Sequence, residues 1–164
     1  MSFVSIIMGS KSDYEVMSEC AKTLEKFGIK YELIVSSAHR SPDRTKEYVK
    51  NAESRGAKVF IAAAGMAAHL AGVVASLTYK PVIGVPMDAS LGGLDSLLST
   101  VQMPSGMPVA TVAIGKAGAV NSAMLAVQIL AINDEGLSKK LKDDKRAKAD
   151  KVEEDSSKIE VRLT

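Results

Sequence analysis

Tryptophan is absent from this 164-residue chain, histidine occurs twice and cysteine once, and the aromatic residues are three Phe and four Tyr. Each shortage excludes something. A flavin held between rings, or a base-stacking nucleic-acid surface, needs aromatics that are not there. A zinc site needs more His and Cys than His39, His69 and Cys20 supply, so no metal site is expected. A lone cysteine forms no intramolecular disulfide. Lying between Met17 and Leu24, Cys20 reads as a buried helical thiol.

An excess of one charge is lacking as well. The chain has 21 Lys and Arg against 19 Asp and Glu, and residues 1–136 carry 12 of each. The last 28 residues hold nine basic against seven acidic groups, interleaved, whereas a nucleic-acid footprint concentrates basic charge on one face. No nucleic-acid partner is expected. No apolar run reaches the roughly 18 residues of a membrane span. The opening MSFVSIIMGSKSD has no basic segment followed by an apolar one, so neither membrane insertion nor secretion is expected, and the cytoplasm is the expected compartment.

What is present is a regular alternation. Phe3–Met8, Tyr31–Val35, Val59–Ala63, Pro81–Val85 and Pro108–Val112 are short apolar runs that read as strands. Between them, Met17, Cys20, Ala21, Leu24 and Phe27 fall at helical spacing before Gly28, and Tyr48, Val49 and Ala52 before Gly56. Strands apolar on both faces, separated by helices, predict a parallel sheet covered on both sides. The fold class is α/β: a three-layer α/β/α sandwich of the doubly wound type, with an extra C-terminal helix. One domain over residues 1–164 is expected, with a core over about 3–132, a charged helical tail over about 133–155, and fraying over 156–164. The segment 117–131 is apolar all round and rich in small residues. It is expected at a subunit interface, or else under the charged C-terminal segment of its own chain.

In such sheets ligands bind beyond the carboxyl ends of the strands. The loop after the first strand is Gly9-Ser10-Lys11-Ser12-Asp13, with a glycine turn, hydroxyls and a helix start. Ser10 and Asp13 suit a phosphate and a pair of ribose hydroxyls, and they equally suit an ordinary N-cap. After the second strand, Ser37-Ala38-His39-Arg40 pairs a group that titrates near neutral pH with a phosphate-binding fork. Its bland alternative is a surface turn capped by Ser41 or Asp43 with Pro42 in the first helical turn. After the third strand, Ala63 to Leu70 is almost all small residues, with room for a flat ligand and His69 at its end. GxxxxGK[ST], GxGxxG and GxSxG are all missing, which removes the usual signatures of ATP hydrolysis, dinucleotide binding and serine hydrolysis.

Together Gly9–Asp13, Ser37-Ala38-His39-Arg40, Ala67-Ala68-His69-Leu70, Pro81–Pro86, Leu94–Leu97, Val101-Gln102-Met103-Pro104 and Ala113–Gly118 resemble the N5-carboxyaminoimidazole ribonucleotide mutase family, class I, over about residues 3–132. The resemblance implies the catalytic subunit of the carboxylation step in de novo purine synthesis, a homo-octamer of flavodoxin-like subunits, and functional coupling to the synthetase that makes the carbamate substrate. It implies no metal or organic cofactor. It also implies that Ser10, Ser12, Ser37 and Arg40 hold the 5′-phosphate and neighbouring groups and that Asp13 accepts from the ribose. His39 would transfer the proton, and Gly65, Ala68 and His69 would line the imidazole and carboxylate pocket. Relatives that act directly on aminoimidazole ribonucleotide and carbon dioxide carry a Lys where this chain has Arg40. A flavin or nucleotide-binding module and an octamer without activity are the competing readings. One loop departs from the family: where it has Gly-Ala-Gly-Gly-Ala-Ala-His-Leu-Pro-Gly, Ala63, Met66 and Ala71 replace two glycines and the proline. Met resists positive φ, so either this loop changes shape or Met66 points away from the ligand.

Overall fold

The computed structural model describes residues 2–163. A compact body ends at Val127, and a C-terminal unit runs from Gln128. In the body, β1 (Phe3–Met8), β2 (Tyr31–Val35), β3 (Ala57–Gly65), β4 (Val82–Met87) and β5 (Ala110–Thr111) form one sheet in the order β2-β1-β3-β4-β5. Every pairing is parallel, with Ile7 beside Ile34 and Ala62, and Ala62 beside Gly84. The order reverses between β1 and β3, which is the crevice where doubly wound sheets take ligands.

The crossovers are α1 (Tyr14–Phe27), α2 (Pro42–Arg55), α3 (Leu70–Leu77) and α4 (Leu94–Val101), and α5 (Lys116–Ala131) follows β5. Every residue of β1 and β4, and β3 from Val59 to Ala63, is buried, as a sheet covered on both faces requires. On one face Phe3, Ile7, Phe60 and Ala62 pack with Val49 and Ala52 of α2 and Leu70 and Val74 of α3. Met17, Cys20 and Leu24 of α1 are likewise inaccessible, and the Ser122 hydroxyl of α5 donates to the Cys20 sulfur over 3.6 Å. Burial pushes that thiol up to about 12.

Glycines in the left-handed conformation end α1 at Gly28 and α2 at Gly56, at the predicted places. Across β2, Arg55 grips the Glu32 carboxylate with both guanidinium nitrogens and holds it below the usual range. Tyr48 donates to the same carboxylate at 3.1 Å and meets Ser5 at 3.0 Å, so α2 is fastened to the edge of the sheet.

Four expectations shift. β3 spans Ala57–Gly65, two residues beyond the expected Val59–Ala63 at each end. β4 spans Val82–Met87 rather than Pro81–Val85: it starts after Pro81, which has no N–H to give the ladder, and runs on through Pro86 beside Ala64. β5 keeps two residues of the expected Pro108–Val112. The short helix α3 has no legible period: LAGVVASL is apolar but for one serine and contains a glycine. In the C-terminal unit α6 (Glu135–Ile159) continues through 156–159, where fraying was expected. The i,i+4 pairs Lys151–Asp155 and Lys158–Glu154 support that last stretch.

Candidate active site

Four post-strand loops meet around a cavity of about 560 Å³ at the carboxyl edge of β1 to β4, within the range typical of small-ligand sites. The first loop supplies Gly9, Ser10, Ser12 and Asp13, and the second Ser37, Ala38, His39 and Arg40. The third gives the segment Ala64–Ala67 with His69 and Leu70, and the fourth gives Ala89.

In the first loop both readings of the sequence find a place. Ser10 and Asp13 form a reciprocal capping box: the Ser10 hydroxyl accepts from the Ser12 N–H at 3.3 Å, and Asp13 Oδ2 accepts from the Ser10 N–H at 3.2 Å. The Ser12 hydroxyl adds a 2.9 Å bond to that of Ser10. The cap fixes a cluster of donors at the cavity wall rather than competing with it. Asp13 is only 8% exposed, and burial raises its carboxyl above the ordinary value against the pull of the Ser10 N–H and Ser12. Holding a charged carboxylate in such a place costs the fold stability.

The second loop is wound on Ser37 and Ser41. Ser41 donates through both N–H and hydroxyl to the Ser37 carbonyl, and the Ser37 N–H donates to the Ser41 hydroxyl at 3.0 Å. Ser41 sits at the N-cap of α2 yet makes no side-chain cap, because its hydroxyl serves this turn. The Arg40 N–H donates to the Ser37 hydroxyl at 3.1 Å, leaving the Arg40 guanidinium at the exposed rim.

The third loop brings in the second imidazole. His39 Nε2 and His69 Nδ1 lie 2.9 Å apart, with ring centroids 5.0 Å apart and planes at 80°. One nitrogen donates and the other accepts, so a single proton occupies the space between them. His69 stands at the N-cap of α3 without capping it. Thirty residues separate the two rings in the chain, and strand order 2-1-3 is what makes their loops neighbours. That order is the signal that foretells the pair. No group of three or more His, Cys, Asp or Glu that could hold a metal ion occurs among the described residues.

All but one of the expected site residues line the cavity. Ala68 is 1% exposed and lies behind the wall, where Ala67 faces the cavity in its place. Ala89 belongs to a loop the sequence marks as post-strand, but an alanine carries no chemical signal. Met66 takes up a left-handed backbone that favours glycine, at φ +57°. Left-handed φ costs a residue with a side chain roughly 1–2 kcal/mol. The residue is 57% exposed and is among those that line the cavity. Ala71, in place of the proline, occupies the first turn of α3 and is buried.

Comparison with known proteins gives one answer. A model of the AIR carboxylase family matches residues 3–151. The chain is 55% identical over 158 residues to the N5-carboxyaminoimidazole ribonucleotide mutase of Pyrococcus horikoshii, covering 96% of this chain and 88% of that one. It is 54% identical to the mutase of Thermotoga maritima, covering 98% and 93%. The crystal structure of Treponema denticola PurE superposes with a TM-score of 0.89 at 30% identity, covering 98% of this chain and all of that one.

Proposed function

The chain belongs to the AIR carboxylase family, and from that membership we infer that it is an isomerase of de novo purine synthesis, an N5-carboxyaminoimidazole ribonucleotide mutase. It moves a carboxylate from the exocyclic nitrogen of the aminoimidazole to ring carbon 4, giving 4-carboxy-5-aminoimidazole ribonucleotide. The observation that carries the residue assignments is the convergence of the serine cluster, Asp13, Arg40 and the His39–His69 pair on one cavity at the strand-order reversal.

In this assignment Ser10, Ser12, Ser37 and Arg40 bind the 5′-phosphate, for which hydroxyls, a helix start and a guanidinium fork are suited. Asp13 accepts from the ribose hydroxyls. Gly65, Ala67 and His69 flank the imidazole. The carbamate C–N bond breaks, the nitrogen takes up a proton, and carbon dioxide is freed inside the pocket. Carbon 4 then attacks it, a C–C bond forms, and the proton on carbon 4 leaves. One proton is taken and one is given, so a single group serves both steps. His39 is that group, its ring oriented by the bond between its Nε2 and His69 Nδ1. The reading assigns no metal or organic cofactor. Holding carbon dioxide beside carbon 4 makes recapture effectively unimolecular, a gain of up to roughly 7–11 kcal/mol in favourable cases.

The test is to mix the protein with the carbamate substrate and follow the ultraviolet change on ring carboxylation. His39→Asn is expected to lower turnover by about 10²-fold or more, while calorimetry still detects binding. Wild-type turnover in that variant would remove His39 from the mechanism.

Homo-octamer assembly is part of the same proposal. Leu94, Leu98 and Val101 form a half-exposed apolar stripe along α4, and Val120, Met124 and Leu125 of α5 are only partly covered, surfaces suited to other subunits. The substrate is a carbamate, so a carboxylating synthetase must supply it, and we assign functional coupling to that enzyme. The compartment assigned is the cytoplasm. No helix among the described residues is long and apolar enough to cross a membrane.

A further inference from the structure

Met66 is the one large side chain between Ala62 and His69, and the backbone around it is held from both sides. Before it, Gly65 pairs with Met87 in the sheet, and a Cβ on Gly65 would stand 3.1 Å from that of Ala89. After it, the Ala68 N–H donates to the Met66 carbonyl and the His69 N–H to the Ala67 carbonyl, each at 2.8 Å. Met66 is thereby fixed at φ +57°, a conformation in which glycine is free of strain and methionine is not. Met66 is among the residues lining the same cavity as His39 and His69, and it is more than half exposed there.

A strained position on a cavity wall that carries a long apolar group points to use of that group. We propose that the Met66 thioether is the wall that retains carbon dioxide, once freed from the carbamate, beside ring carbon 4. This rests on the mutase reading. Carbon dioxide has no net charge and no hydrogen to donate, so what holds it is close contact and the exclusion of water. The alanine methyls of this loop are too short to reach far over a ligand. A thioether is long, polarisable and flexible, and it does not add to carbon dioxide as an amine would. Met66 thus acts on the partition of the freed molecule between attack by carbon 4 and escape, not on cleavage of the carbamate.

Substrate labelled with carbon-13 in the carbamate carboxyl tests this, in buffer with unlabelled bicarbonate and carbonic anhydrase, so that escaped carbon dioxide loses its label. Mass spectrometry reads the labelled fraction of the product. Met66→Leu keeps bulk and strain, Met66→Ala keeps strain alone, and Met66→Gly removes both. The expected result is retention in the Leu variant close to wild type, and a ratio of escape to capture raised about tenfold in both the Ala and Gly variants. The melting temperature of Met66→Gly is expected at or above wild type. Equal retention in all four proteins, or retention in the Ala variant equal to wild type, overturns the proposal. A wild-type protein that forms no product overturns the mutase reading instead. One that forms product with its label fully exchanged overturns retention in the pocket, and the role of Met66 with it.

Discussion

Asp13 is asked to do two things that conflict. Its carboxylate closes the cap on the first turn and faces the cavity, but burial disfavours its charge. Because its folded value is raised above the ordinary 3.8, its contribution to stability is greatest below that pH and is lost as pH rises through the folded value. Asp13→Asn keeps an acceptor for the Ser10 N–H and removes the charge. We expect the variant's melting temperature to gain on wild type between pH 4 and pH 8. Its KM should rise about tenfold, the worth of one charge-assisted hydrogen bond to the ribose. A gap in melting temperature that narrows as pH rises would mean that something other than burial governs this carboxyl. Met66 is a second case of the same kind, a local cost borne at the cavity wall.

Among the elements, α5 has the least freedom at its start. A Cβ on Gly118 would stand 1.7 Å from the Ala113 carbonyl oxygen and 3.3 Å from Val85, so the first turn of the helix lies against backbone. Gly118→Ala cannot be absorbed by a rotamer change, and a loss of several kcal/mol is expected, read as a fall in the denaturant midpoint or as insoluble protein. An unchanged midpoint would mean that α5 can move off the Ala113 loop. The elements also show how far the chain could be read without coordinates. β1, β2, α1 and α2 stand at their expected bounds: the strands are short apolar runs, Gly9 follows β1, Gly28 and Gly56 end the helices, and Pro42 opens α2. α3 is nearly apolar all round, so its eight residues show no period; α4 carries its stripe over eight residues only, short of the window in which a period is usually read. For the site, residue type was enough to mark His39, Arg40, Asp13 and the serines. The contact of His39 with His69 and the exchange of Ala68 for Ala67 depend on strand order and on the two short turns after Met66, which no local pattern encodes.

For the molecule as a whole, charge is concentrated toward the C-terminus. Residues 1–136 carry equal numbers of each charge, so over that stretch no net charge opposes the approach of one copy to another. If the apolar stripe on α4 is covered by other subunits, Leu94→Glu with Leu98→Glu is expected to shift sedimentation from an octamer to smaller species. An octamer that survives both substitutions would place the contact elsewhere.

Cys20 carries a consequence for anyone handling the protein. Its thiol, inaccessible and pushed up to about 12, has almost no thiolate at neutral pH to react with maleimides or disulfides. A cysteine introduced on the exposed face of α6 would therefore be the single addressable handle on each subunit, with no need to remove the native one first. Dyes placed there would count the subunits of an assembly one bleaching step at a time.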